Sequence, residues 1–290
     1  MELRNCDTTR NPERIPAALT IAGSDSGGGA GIQADLRTFS ALGVFGTSAI
    51  TAVTSQNPVT VSRVDALPPD AVAAQIRAVL DVIDVRAIKT GMLFSAEIIR
   101  QVAECLKQVR LPLVVDPVMI STSGTKLIQD DAQETMMSHL LPLATWITPN
   151  IPEAEHLSGR RIRSAADATD AAKQIAERWN TGVILKGGHA EDDRMASDVI
   201  CTNEICCSLS VARLCLPPYA SHGTGCTLSA ALTAFLAKGE SSLRAVTNAK
   251  AFVLGSLAEA KAIGRDNPVA AMFPPEKPEH YQQQILISRL

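Results

Sequence analysis

The sequence predicts an α/β fold, a mostly parallel sheet with helices on both faces. Three observations carry that expectation. Strand-like and helix-like segments alternate along the chain, the order that builds parallel sheets. The strand-like runs are continuously apolar, as in Ala17-Ala-Leu-Thr-Ile-Ala22 and Leu111-Pro-Leu-Val-Val115, which is how strands covered on both faces read. Polar and glycine residues collect directly after those runs, at the sheet end where open α/β folds bind ligands.

In chain order, the apolar run 17–22 is the first strand, and the glycine-rich stretch 23–31 leads into a helix over 32–42. A strand over 48–54, a helix over 70–82 and a short strand over 85–89 follow. Residues 96–109 read as a helix, and 111–116 as a buried strand ending in the carboxylate of Asp116. Core strands over 144–148 and 182–186 flank a helix over 164–179. The stretch 197–209 alternates around Thr202-Asn-Glu, which predicts an antiparallel hairpin. Two long helices, over 224–238 and 243–263, close a single domain at 17–264. Residues 1–16 and 265–290 are polar or proline-rich and read as a tail and a C-terminal extension, both mobile.

The 290 residues are 46% hydrophobic and 20% charged, so the chain can bury a substantial core. A net charge of −3 leaves no electrostatic footprint for nucleic acid. Aromatics at 3% disfavour stacking platforms and membrane-interface belts, and no apolar run is long enough to span a bilayer. The seven cysteines show no Cys-x-x-Cys or zinc-finger spacing, so they read as reduced residues of a cytoplasmic protein.

The most informative stretch is Ser221-His-Gly-Thr-Gly-Cys226, followed at once by an apolar run with helical spacing. That places 223–226 at a helix N-terminus, where unpaired N–H groups and the helix dipole make an anion site. Cys226 falls in the first turn, which favours its thiolate. An anion hole beside a base is what phosphoryl transfer to a hydroxyl requires. Gly-Thr-Gly alone is equally compatible with a loop that merely starts a helix.

Other strand ends supply further candidates. The stretch 23–31 fits neither Gly-x-Gly-x-x-Gly opening a helix nor a P-loop, which disfavours a dinucleotide-binding dehydrogenase and a P-loop kinase. From spacing alone Asp35 is either a functional carboxylate or an exposed helix residue. Gln56 suits the edge of a heterocycle, or a turn. Asn150 and Glu153 either order magnesium-bound water or form a capping box. Asp116 is a candidate site charge or a strand-end cap. His189 and His222 read as orienting groups, and Met92 and Met119 as core residues.

The motifs Ala22-Gly-Ser-Asp-Ser-Gly-Gly-Gly-Ala-Gly-Ile-Gln-Ala-Asp35, Thr54-Ser-Gln-Asn57, Gly91-Met-Leu93, Asp116-Pro-Val-Met119, Thr148-Pro-Asn150-x-x-Glu153, Lys186-Gly-Gly-His189 and His222-Gly-Thr-Gly-Cys-Thr-Leu-Ser-Ala-Ala231 occur in this order. Together they resemble the hydroxymethylpyrimidine/phosphomethylpyrimidine kinases of thiamin biosynthesis, within the ribokinase-like superfamily, over about residues 17–263. The resemblance implies a three-layer α/β/α sandwich and use of ATP and Mg2+. It implies phosphorylation of 4-amino-5-hydroxymethyl-2-methylpyrimidine and then of its monophosphate. It assigns Gln56, Asp35, Gly23, Met92 and Val118 to the pyrimidine pocket. Asp116 and Glu153 go to magnesium, partly through water, and Asn150, Lys186, Thr224 and Gly225 to ATP. Gly223 and Gly225 amides with Lys186 hold the transferring phosphoryl, and Cys226 takes the hydroxymethyl proton. A homodimer is expected. One departure is Ser26-Gly27-Gly28 where Pro-Ser-Gly is common, which predicts a more flexible loop. A pyridoxal kinase on the same scaffold is the first alternative, and a non-catalytic ligand-binding protein the second.

Overall fold

The computed structural model describes residues 14–119, 130–187, 194–265 and 269–290. β1 (Ala17–Asp25) passes through the glycine-rich loop to α1 (Gly31–Ala41) and β2 (Phe45–Gln56), which turns back as β3 (Val61–Ala66). α2 (Pro69–Leu80) leads to β4 (Val85–Thr90), and α3 (Ala96–Leu106) to β5 (Leu113–Val115). α4 (Asp130–Thr135) continues into a π-helical turn before β6 (Trp146–Ile147), α5 (Ile151–Ser158), α6 (Ala165–Trp179) and β7 (Gly182–Leu185). The hairpin β8 (Met195–Cys201) and β9 (Cys206–Ala212) precedes α7 (Thr224–Ala237) and α8 (Ser242–Ala258). The chain ends with β10 (Lys261–Ala262), β11 (Ala270–Ala271), α9 (Glu279–Gln282) and β12 (Leu286–Arg289).

Ten strands form one sheet in the order β12-β9-β8-β7-β6-β5-β4-β1-β2-β3. β2, β1, β4, β5, β6 and β7 run parallel. β3, β8, β9 and β12 join antiparallel toward the two edges. One face packs Leu19, Ile21 and Ile88 against α2, α3, α5 and α6. The other packs Ala18, Ala87 and Val114 against α1, α7 and α8. The sheet is therefore a middle layer between two helical layers. β1 leads to β2 on one side, and the chain then crosses back to β4 on the other side. That reversal opens a crevice at the carboxyl ends of β1 and β4, where α/β sheets bind ligands.

Five expectations change. β3 is not marked by an apolar run because it is an edge strand with mostly exposed residues. The C-terminal extension is not a free appendage: β12 pairs antiparallel with β9, and Gly255 of α8 packs closely under Tyr281 and Pro275. That packing and the turn into β10 end α8 at Ala258 instead of near 263. The glycine-rich loop is pinned, since Ser26 Oγ donates to Gln56 O at 2.7 Å and accepts from Gln56 N at 2.8 Å. Finally, Cys201 and Cys206 face one another across the β8–β9 hairpin with Cα atoms 4.3 Å apart, and their sulfurs are bonded. Cys105, Cys207, Cys215 and Cys226 are free. Among the described residues no helix is long and apolar enough to cross a membrane.

Candidate active site

The site is built on strand ends and on two loops that meet backbone to backbone. Asp25, the last residue of β1, organises the first loop. Its Oδ1 accepts from Gly27 N and its Oδ2 from Ala30 N, each at 2.8 Å. His222, in the loop before α7, contacts Asp25 Oδ2 at 3.2 Å and Gln56 Nε2 at 3.5 Å through Nε2. Burial opposes a charge on Asp25, but the His222 contact and the two loop N–H groups outweigh it and hold its carboxyl below the usual range. A Cβ on Gly29 would press on the His222 ring at 2.5 Å, and one on Gly223 would overlap the Gly29 carbonyl oxygen. Gly223 also has φ +83°, a left-handed conformation that favours glycine.

This joint fixes where α7 begins. Gly223 occupies the cap position with no side-chain hydrogen bond, so no side chain takes up the first-turn N–H groups. Lys186 and Asp116 lie next to that turn: a Cβ on Gly225 would sit 3.3 Å from Lys186 Nζ and 3.7 Å from Asp116 Oδ2. Lys186 Nζ donates to Asp116 Oδ1 at 2.9 Å, and Thr148 and Ser229 hydroxyls donate to the same carboxylate. Burial works against a charge on Asp116, but Lys186 and then Lys89 outweigh it and hold the group below the usual carboxylate range. Lys186 is placed by the sheet, its N–H donating to Pro149 O at 2.8 Å beside Asn150. Just beyond it, Asp198 Oδ1 accepts from Gly187 N while Oδ2 accepts from Lys250 Nζ at 2.6 Å.

Asn150 and Glu153 form the capping box of α5. Asn150 Oδ1 accepts from Glu153 N at 2.9 Å, and Glu153 Oε2 accepts from Asn150 N at 2.8 Å. Glu153 Oε1 also accepts from Met119 N at 3.4 Å. Burial pushes the Glu153 carboxyl up to about 7, against the pull of Lys186. Among the described residues no three His, Cys, Asp or Glu side chains group as a metal cage. Asp116 with Glu153 nearby instead fits a magnesium ion that keeps most of its water and leans on substrate phosphates.

The pyrimidine-pocket candidates divide into two groups. Gly23, Met92 and Val118 come together: a Cβ on Gly23 would meet Met92 Cε at 2.5 Å, and Val118 packs on Met92 and Ala52. Thr51 Oγ1 holds the Met92 carbonyl at 2.7 Å. Gln56 ends β2, partly exposed and beside His222. Asp35 is elsewhere. It is fully buried in α1, with Thr20 Oγ1 on Oδ2 at 2.6 Å and Lys89 Nζ on Oδ1 at 2.7 Å, so it presents no surface to a ligand here. The exposed-helix reading of Asp35 fails for the same reason.

Cys226 departs from the expectation of an easily ionised thiol. Burial pushes its pKa up to about 11, with Lys89 the strongest opposing pull and Gly31 N–H donating to the sulfur. The helix terminus does not overcome desolvation. Lys89, Asp25 and Lys250 are buried charges near the site to which the sequence reading assigned no role; a lysine inside an apolar strand was the available signal for the first. His189 and Gly188 lie outside the described residues.

The family model for phosphomethylpyrimidine kinase matches residues 25–270. The chain belongs to this family. The hydroxymethylpyrimidine/phosphomethylpyrimidine kinase of Synechococcus elongatus is 46% identical over 90% of this chain and 98% of its own. Among solved structures, the phosphomethylpyrimidine kinase of Clostridium difficile is 42% identical, with TM-score 0.73 over 82% of this chain and 98% of that one. The pyridoxal kinase of Staphylococcus aureus in complex with AMP-PCP and pyridoxal is 34% identical, with TM-score 0.81 over 96% of this chain and all of that one. The chain thus shares the ribokinase-like fold of these kinases.

Proposed function

We propose that this phosphomethylpyrimidine kinase family member transfers the γ-phosphoryl of ATP to the hydroxymethyl group of 4-amino-5-hydroxymethyl-2-methylpyrimidine, and then to the resulting monophosphate. The observation that carries the reading is one convergence. The uncapped start of α7, which carries Cys226 in its first turn, meets the Lys186–Asp116 pair at Gly225. The apolar wall of Gly23, Met92 and Val118 suits a flat heterocycle, and the Gln56 amide suits its polar edge.

In this reading the Gly223–Cys226 turn holds the transferring phosphoryl, and Lys186 offsets its charge. Thr224 and Asn150 face the nucleotide phosphates. Asp116, with Glu153 through water, would hold the magnesium ion, which neutralises phosphate charge when bound. Cys226 accepts the hydroxymethyl proton in the first transfer. The second transfer needs no base, because its nucleophile is an ionised phosphate oxygen. The kinase domain is residues 17–264 with the C-terminal extension packed onto it through β12, working as a cytoplasmic homodimer on small molecules, with no nucleic acid or membrane partner.

Phosphorus NMR of the protein with ATP, magnesium and the pyrimidine tests the reading. Monophosphate followed by diphosphate supports it. Turnover of pyridoxal in place of the pyrimidine would move the substrate to the vitamin B6 branch, which the likeness to the S. aureus pyridoxal kinase makes the second reading. Binding without product would leave a non-catalytic protein.

A further inference from the structure

The antiparallel ladder between β7 and β8 stops one residue short of Lys186. Its last pair is Leu185 with Val199, and one more step of that register sets Lys186 opposite Asp198 and Gly187 opposite Ser197. The two chains stay close there, since a Cβ on Gly187 would overlap the Ser197 carbonyl oxygen. Past the end of the ladder the Gly187 N–H goes to a side chain, Asp198 Oδ1, at 3.0 Å.

Asp198 is buried, and its other oxygen accepts from Lys250 Nζ at 2.6 Å. Lys250 is buried as well, in a stretch of α8 whose other buried residues include Ala249, Ala251 and Phe252. A buried ion pair is weak as a source of stability, because apolar residues of similar volume often do as well or better. An apolar side chain cannot, however, accept a hydrogen bond from a backbone N–H. The same two bonds that bracket Lys186 depend on that acceptor: its own N–H donates to Pro149 O at 2.8 Å, and the next N–H along the chain donates to Asp198. Together they set the direction in which the Lys186 side chain leaves the backbone to reach Asp116 Oδ1 at 2.9 Å, beside the first turn of α7.

We propose that Asp198 is a positioning residue for nucleotide binding. Its carboxylate, oriented by Lys250, fixes the Lys186–Gly187 peptide and so aims the Lys186 ammonium at the ATP phosphates. The proposal rests on the reading of Lys186 as the cation that offsets phosphate charge. It makes the α8 lysine part of the ATP site through β8, with no contact of its own to the nucleotide.

The test is calorimetric titration of the full chain with ATP and magnesium, without pyrimidine, in two double variants. Lys250→Met/Asp198→Asn removes both charges and keeps an amide oxygen for the Gly187 N–H. Lys250→Met/Asp198→Leu removes both charges and the acceptor at similar volume. The Asn variant should bind ATP within about threefold of the parent, and the Leu variant about tenfold or more weakly, the scale of one hydrogen bond lost or displaced. In turnover the Leu variant should raise KM for ATP and leave KM for the pyrimidine unchanged. Asp198→Asn alone decides the matter if the Leu variant does not fold. There Lys250 takes the amide oxygen and turns the amide NH2 toward the Gly187 N–H, so ATP binding should weaken, and adding Lys250→Met should restore it. Equal ATP affinity in the two double variants, or no recovery when Lys250→Met is added to Asp198→Asn, overturns the proposal; a role in stability alone would move Tm and leave ATP affinity where it was. Failure of the phosphate reading looks different: Lys186→Met would then bind ATP as tightly as the parent.

Discussion

Gly223→Ala tests whether the joint between the two loops sets up the phosphoryl site. The substitution meets two obstacles. A left-handed backbone costs a non-glycine residue about 1–2 kcal/mol, and Gly223 has φ +83°. Its Cβ would also overlap Gly29 O, and relieving that contact moves one backbone away from the other by about 1 Å. Gly239, just past the other end of α7, separates the two effects. It has φ +81° and nothing within 4 Å of its Cβ position, so Gly239→Ala meets the strain without the collision. Gly239→Ala should therefore lower Tm by only a few degrees, at about 2–4 °C per kcal/mol for a domain near this size, with kcat unchanged. Gly223→Ala should lose more stability and should displace the N–H groups of the first turn. One misplaced donor of that kind costs about a hundred- to a thousandfold in kcat. The assay is pyrimidine-dependent ADP release alongside thermal unfolding of both variants. If Gly223→Ala matches Gly239→Ala in Tm and stays within a few-fold of parent activity, the loop contact does not build the site.

Other consequences are smaller in scope. Cys226→Ala should slow transfer to the hydroxymethyl group by about a hundredfold or more while sparing transfer to the monophosphate, each followed separately. Because the resting thiol titrates only at about 11, the first transfer should speed up with pH through the neutral range in the parent and stay flat in Cys226→Ala. Glu153, raised to about 7 in the fold, keeps its proton where the unfolded chain has lost it. It therefore removes stability as pH climbs from the unfolded carboxylate value toward 7. Glu153→Gln lacks that loss, so its Tm relative to parent should be higher at pH 8 than at pH 5, and a gap that does not change with pH refutes the assignment. Lys250→Met strands the Asp198 carboxylate that holds Gly187, and unfolding in urea should show a loss of about 3–5 kcal/mol.

The parts of the fold that were legible in the sequence are those whose residues face the same environment throughout. β1, β5 and β7 are covered on both faces and read as apolar runs. β3 and β12 are edge strands with mostly exposed side chains, so only the neighbour that pairs with each one reveals it. The site was legible as a set of strand ends, but its internal bonding was not. Asn150 and Glu153 carried two readings in the sequence, and the structure forms the capping box with both carboxylate oxygens on backbone N–H groups. Asp35 and Lys89 are 54 residues apart and meet only because α1 lies against β4's neighbour in the sheet. At Cys226 the sequence supplies every group that would favour a thiolate: a helix start, nearby lysines, a glycine amide. It does not supply the depth at which they are placed. Desolvation sets the sign of the shift, and the same burial strengthens the pull of Lys89, since a charge acts further where water is excluded. The depth of Cys226, which no stretch of sequence displays, is therefore what leaves it a protonated thiol at rest despite its helix start and neighbouring lysines.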